Sequence, residues 1–166
     1  MLRHFVFLTV LAAIAAVASA APPAPAQLSA ADQAAAFRAA GFALKGKQWQ
    51  ACGDPGTMSY TPGAIEQVKD LNGDGRPEAV ITEGSTYCFG MTGTGYSLVS
   101  KGADGKWTLI DQQQGIPEFL TTKGAANWPD IQVGGPGFCF PVVRWNGREY
   151  VLNRHEYEGK RCTPPQ

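Results

Sequence analysis

The sequence predicts an α+β domain, in which one N-terminal helix packs on a mainly antiparallel β-sheet and one hairpin carries an acidic loop. Three observations predict it. An alanine-rich segment with a start signal at Ser29 and a stop at Gly41 reads as a single helix. After Cys52, runs rich in β-branched and aromatic residues replace that pattern. Asp104-Gly105 and Asn146-Gly147 punctuate those runs, and such pairs supply the positive φ angles that short hairpin turns require.

The first 20 of the 166 residues read as a secretory signal peptide. Arg3 and His4 precede an apolar core over 5–14, and small residues ending in Ala18-Ser19-Ala20 form an A-x-A-like cleavage site. No lipobox cysteine follows, and no later stretch has the length of a membrane span. Residues 21–28 form a Pro/Ala-rich leader, and 29–166 form a single globular domain. The expected location is therefore periplasmic or secreted. Fourteen basic and fourteen acidic side chains are interspersed, leaving no basic stripe for nucleic acid.

Each element has its own local cause. Ser29 can cap the first turn while Asp32 favours the positive helix end, and Phe37 is placed to face a sheet. Residues 93–100 and 106–110 form one hairpin about Asp104-Gly105. Residues 138–145 and 148–152 form another about Asn146-Gly147. Between them, Ile116-Pro117-Glu118-Phe119-Leu120 reads as a short helical or irregular link. Pro129-Asp130-Ile131-Gln132-Val133-Gly134-Gly135 weakly echoes Pro77-Glu78-Ala79-Val80-Ile81-Thr82-Glu83-Gly84.

All four cysteines (Cys52, Cys88, Cys139 and Cys162) lie in the exported part, which suggests two disulfides. Three connectivities are open. Pairing cysteines that flank neighbouring strand units gives Cys52–Cys88 with Cys139–Cys162, and Cys88–Cys139 competes. Zinc is disfavoured, because there is no C-x-x-C pair and His155 is the one histidine left after cleavage.

The chemistry concentrates in Asp70-Leu71-Asn72-Gly73-Asp74-Gly75-Arg76-Pro77-Glu78. Side-chain oxygens at its first, third, fifth and ninth positions belong to Asp70, Asn72, Asp74 and Glu78, and the carbonyl of Arg76 adds a donor. Ca²⁺ takes six to eight oxygen ligands, and alternate residues of a tight loop can present them to one centre. Three carboxylates this close would repel one another without a cation. The loop is not an EF-hand, since Ile81 occupies the twelfth position and Pro77 obstructs a helix. With strand-like flanks, residues 68–81 resemble the FG-GAP/VCBS-type repeat, whose calcium loop joins two β-strands. The resemblance implies side-chain ligand roles for Asp70, Asn72, Asp74 and Glu78, although the last acid of that motif is often Asp. It covers one motif, whereas a propeller needs several blades.

Other catalytic signatures are weak. His155 has no nucleophile motif beside it, and Gly93-Thr94-Gly95 lacks the rest of a dinucleotide fingerprint. Glu83, Glu118, Asp130 and Glu156 read as solvated surface acids, and no spacing selects a glycosidase pair among them. The four tryptophans read as core or edge packing, with Trp128 also a candidate for a binding surface. The expected function is an exported, non-catalytic, calcium-binding domain. The alternatives are a secreted inhibitor or recognition module for a cell-envelope protein or glycan, and a small carboxylate-dependent hydrolase.

Overall fold

A computed structural model describes residues 27–164. The expected signal peptide over 1–20, and the 21–28 leader apart from Gln27 and Leu28, lie outside the described residues. Helix α1 (Ala30–Ala39) comes first. Strands β1 (Ala43–Lys45), β2 (Gln48–Gln50), β3 (Thr61–Lys69) and β4 (Glu78–Gly84) follow. A helical turn, α2 (Thr86–Phe89), leads to β5 (Thr94–Lys101) and β6 (Trp107–Gln114). The remaining strands are β7 (Ile116–Lys123), β8 (Pro129–Gly134), β9 (Phe140–Trp145), β10 (Tyr150–Tyr157) and β11 (Lys160–Arg161).

The α+β expectation is overturned. The chain is mostly antiparallel β, 49% strand against 14% helix, with only short helices and two curled sheets. One sheet runs β1-β2-β3-β4-β5-β6 and the other β11-β10-β9-β8-β7, so neighbours in sequence are neighbours in space. The sequence reading undercounted strands. β1 and β2 are three residues each, too short for an alternation to register. The expected link at 116–120 is β7, an edge strand, the position in a sheet at which a proline such as Pro117 is tolerated. The two hairpins about Asp104-Gly105 and Asn146-Gly147 form, as β5–β6 and β9–β10.

The helix forms where its local signals lie. Ser29 Oγ accepts the Asp32 amide at 3.1 Å, and the chain leaves the helix at Gly41 with φ +84°. Its apolar face covers the first sheet: Phe37 packs with Phe42, Ala79, Ile81, Val99 and Trp107. The opposite face of that sheet, through Val80, Tyr96 and Leu98, meets Trp128, Ile131, Val133 and Val143 of the second sheet. β4 and β5 are thus covered on both sides, which accounts for the unbroken apolar run Ala79-Val80-Ile81. Each large side chain so buried contributes about 1.5–3 kcal/mol. Trp128 belongs to this core and not to a binding surface: it is buried beside Trp145 and Tyr150.

One residue, Gly115, separates β6 from β7, too few for a hairpin loop. The chain therefore bends from one sheet directly into the other, as strands do at the corners of packed sheets. Cys52–Cys88 ties the segment after β2 to α2, and Cys139–Cys162 ties the start of β9 to the segment after β11. Two disulfides mark an oxidising, extracellular-type environment. Among the described residues, no helix is long and apolar enough to cross a membrane.

Candidate metal centre

The 70–78 loop joins β3 to β4, and its backbone is organised by its own side chains. Asp70 Oδ1 accepts the amides of Gly73 (2.7 Å) and Asp74 (3.1 Å), while Oδ2 accepts that of Gly75 (2.9 Å). Gly73 and Gly75 hold φ angles of +81° and +83°, which permits this winding. Burial works to raise the Asp70 carboxyl, but the amides of Gly75, Gly73 and Asp74, with the Arg76 charge, leave it below its ordinary value. Asn72 is buried, and its Oδ1 accepts the Asp74 amide at 2.9 Å.

Glu78 opens β4 and is 1% exposed. Its Oε2 accepts the Leu71 amide at 2.7 Å and its Oε1 the Ser100 hydroxyl at 2.7 Å. Burial pushes its pKa up, and the charges of Asp74 and Asp70 push the same way against those two hydrogen bonds. The loop therefore carries a buried carboxylate that feels two others.

Arg76, expected to contribute its carbonyl, also engages the loop through its side chain. Its Nε donates to the Lys101 carbonyl at 3.0 Å, and its guanidinium pairs with Asp74 Oδ2 at 2.5 Å. The cation that the sequence demanded for three adjacent acids is in part supplied by the loop itself. Among the described residues, no group of three His, Cys, Asp or Glu side chains is poised to hold a metal. The donor set nevertheless suits a hard cation, being oxygen throughout. Asp74 is the member whose carboxylate is also engaged by the Arg76 guanidinium.

The other acids weighed from the sequence are mostly not the solvated groups expected. Glu83 is 3% exposed and accepts the amides of Ala51 and Cys52 and the Tyr60 hydroxyl. Asp130 is fully buried on β8, held by Arg144 at 2.8 and 2.9 Å, Arg154 at 2.6 Å and Thr122 at 2.6 Å. Burial opposes its ionisation, yet those donors keep its pKa well below the carboxylate range. Glu156 pairs with Arg154, and Glu118 is exposed beside Gln132. The sequence carried no local signal for Glu83 or Asp130, because their partners come from distant strands and loops. His155 is half-buried on β10 opposite Pro141, away from any nucleophile contact among the described residues.

No family model, curated protein or solved structure matches this chain.

Proposed function

We infer that this chain is an exported, non-catalytic β domain whose 70–78 loop takes a calcium ion, in the manner of an FG-GAP-type repeat. The observation that carries the reading is the loop's donor set. Oxygens of Asp70, Asn72, Asp74 and Glu78 lie on one wound nine-residue segment, and the Glu78 carboxylate is buried within the field of two other acids. A bound Ca²⁺ would be held by those side chains and the Arg76 carbonyl, and would supply the positive charge that offsets their repulsion. Asp74 would exchange its Arg76 partner for the ion. Stability is the expected consequence, since the loop closes the β3–β4 hairpin at the centre of the first sheet. The basic, apolar and small-residue order of the N-terminus, with two disulfides, favours the periplasm or the cell exterior.

Calorimetric melting across a calcium titration tests this. A site saturated a hundredfold adds about 2.7 kcal/mol to the folded state. Extracellular modules bind at about 10⁻⁴–10⁻³ M, so millimolar Ca²⁺ should raise the melting temperature, with Mg²⁺ doing less. Asp70→Ala or Asp74→Ala should abolish the rise, and Asp104→Ala in the β5–β6 turn should not. Identical calcium responses in the wild type and Asp74→Ala, with no heat of binding, would overturn the reading.

A further inference from the structure

A second site lies at the other end of β4 from the acidic loop. There a cavity of about 390 Å³ opens between the Cys52–Cys88 bridge and the ends of β4, β5 and β6. Its size falls in the range of small-molecule sites, about 300–1,000 Å³. Its chemistry divides into apolar walls and a polar floor.

The walls are Phe42, Phe89 and the disulfide. Both rings are seated on strand glycines. A Cβ on Gly95 would come within 2.5 Å of the Phe89 ring, and one on Gly63 within 2.5 Å of the Phe42 ring. Glycine inside a strand marks such close approach, so the two rings are fixed in place by the sheet beneath them.

The floor contains Ser97, Gln112 and Glu83. Ser97 is 2% exposed, and its hydroxyl meets the Gln112 side-chain amide at 3.0 Å. A hydroxyl and a carboxamide each have hydrogen-bonding capacity beyond one such contact, and here that capacity faces the cavity. At the rim, Gln114 donates to the Phe89 carbonyl and to Thr92 Oγ1, steadying the turn that carries the Phe89 ring. Glu83 accepts from Ala51, Cys52 and Tyr60, which pins the bridge segment to the sheet.

Charge narrows the ligand. No Lys, Arg or His lines the cavity, and the Glu83 carboxylate stands in its floor, so an anion would meet repulsion and no partner. The open positions belong to one buried hydroxyl and to side-chain amides, set between fixed aromatic walls. A pyranose matches this pattern: its C–H face is apolar, and its rim offers hydroxyls that donate and accept. We propose that the cavity between Phe42, Phe89 and the Cys52–Cys88 bridge binds a single uncharged sugar ring, with Ser97 and Gln112 hydrogen-bonding its hydroxyls. This site is separate from the calcium loop and does not depend on it.

The test is a ¹⁵N–¹H NMR titration of the intact disulfide-bonded protein in chelator, with glucose, N-acetylglucosamine, glucuronate and glycerol as probes. At least one of the two neutral sugars should shift the amides of Cys88, Phe89, Ser97 and Gln112 saturably. Glucuronate and glycerol should not. Gln112→Ala, at an exposed position, should weaken binding about tenfold, the loss of about 1.4 kcal/mol. Ser97→Ala should do the same, and Gln132→Ala on the second sheet should change nothing. Should Ser97→Ala fail to fold, Gln112→Ala carries the decision. Absence of saturable shifts with either neutral sugar up to about 100 mM, far weaker than millimolar binding, would overturn the proposal. Equal binding of glucuronate, or unchanged affinity in Gln112→Ala, would overturn it too.

Discussion

The indole Nε1 of Trp107 donates to Asp32 Oδ1 at 3.0 Å, joining the first residue of β6 to the first turn of α1. Lys101 Nζ reaches the same oxygen at 2.8 Å. One carboxylate thus ties the helix to the sheet it covers, beside the contact of Phe37 with Ile81 and Val99 in the apolar cluster. The Lys101 and Trp107 hydrogen bonds lower the Asp32 pKa to about 2.

Because that folded-state pKa lies below the unfolded value of about 4, the contribution of Asp32 is present above pH 4 and is lost as pH falls through about 2. Asp32→Asn should lower the melting temperature at pH 7, and the gap from wild type should close on acidification through that window. A gap independent of pH would show that the carboxylate's charge contributes nothing.

Asp130 is a costlier residue to remove. It is fully buried, with one arginine 7% exposed and the other 37% exposed at their side chains. Asp130→Ala leaves Arg154 buried without that partner, a change that typically costs about 3–5 kcal/mol. The solvent reaching Arg144 places the loss toward the lower end. Urea unfolding followed by tryptophan fluorescence checks it. Since donors hold the Asp130 pKa low, the wild-type ion pair should persist in mild acid.

What could be read from the sequence was what local chemistry decides. Ser29 capping α1 and the Asp104-Gly105 and Asn146-Gly147 turns act within a few residues of themselves, and each lies where expected. The bridges Cys52–Cys88 and Cys139–Cys162 agree with the pairing by flanking strand units. The fold class was misread because β7 is made by its neighbour. Phe119 and Pro117 pair with Ile131 and Val133 across the sheet, and nothing within 116–120 announces that. Likewise, Glu83 is buried by amides 31 and 32 residues away, beyond the reach of any local pattern. In the acidic loop the residue types are legible, but the pairing of the Arg76 guanidinium with Asp74 is not, because it depends on how a long side chain folds back over its own loop.

Arg76 consequently offers a sharp test of how the loop manages charge. Its pair with Asp74 is half-exposed, with side chains 39% and 29% accessible, so it is worth at most about 1 kcal/mol. Because Arg76→Gln also removes the Nε bond to the Lys101 carbonyl, stability in chelator should fall by about 1–3 kcal/mol, and the deficit should shrink in millimolar calcium. Calcium affinity measured by calorimetry should rise several-fold, because the ion no longer competes with a built-in cation for Asp74. Weaker calcium binding in the variant would mean that the guanidinium supports the ion site instead.

Gly115 is the hinge on which the two-sheet arrangement depends. Its amide donates to the Thr94 carbonyl at 3.0 Å, fixing it to β5, while the next residue already pairs with Gly134 in the second sheet. Its φ of +143° is one that side-chain-bearing residues rarely adopt. A Cβ there would also run into Val133 and come within 2.8 Å of the Gly134 carbonyl. Strain of this kind costs about 1–3 kcal/mol, and the clash falls on Val133, part of the core between the sheets. Gly115→Ala should therefore lower the urea midpoint more than Gly105→Ala, whose Cβ meets open space although its φ of +78° is also positive. Equal losses in the two variants would show that the backbone angle alone matters. A larger loss at Gly115, accompanied by faster hydrogen exchange at Ile131 and Val133, would locate the damage at the corner where β6 becomes β7.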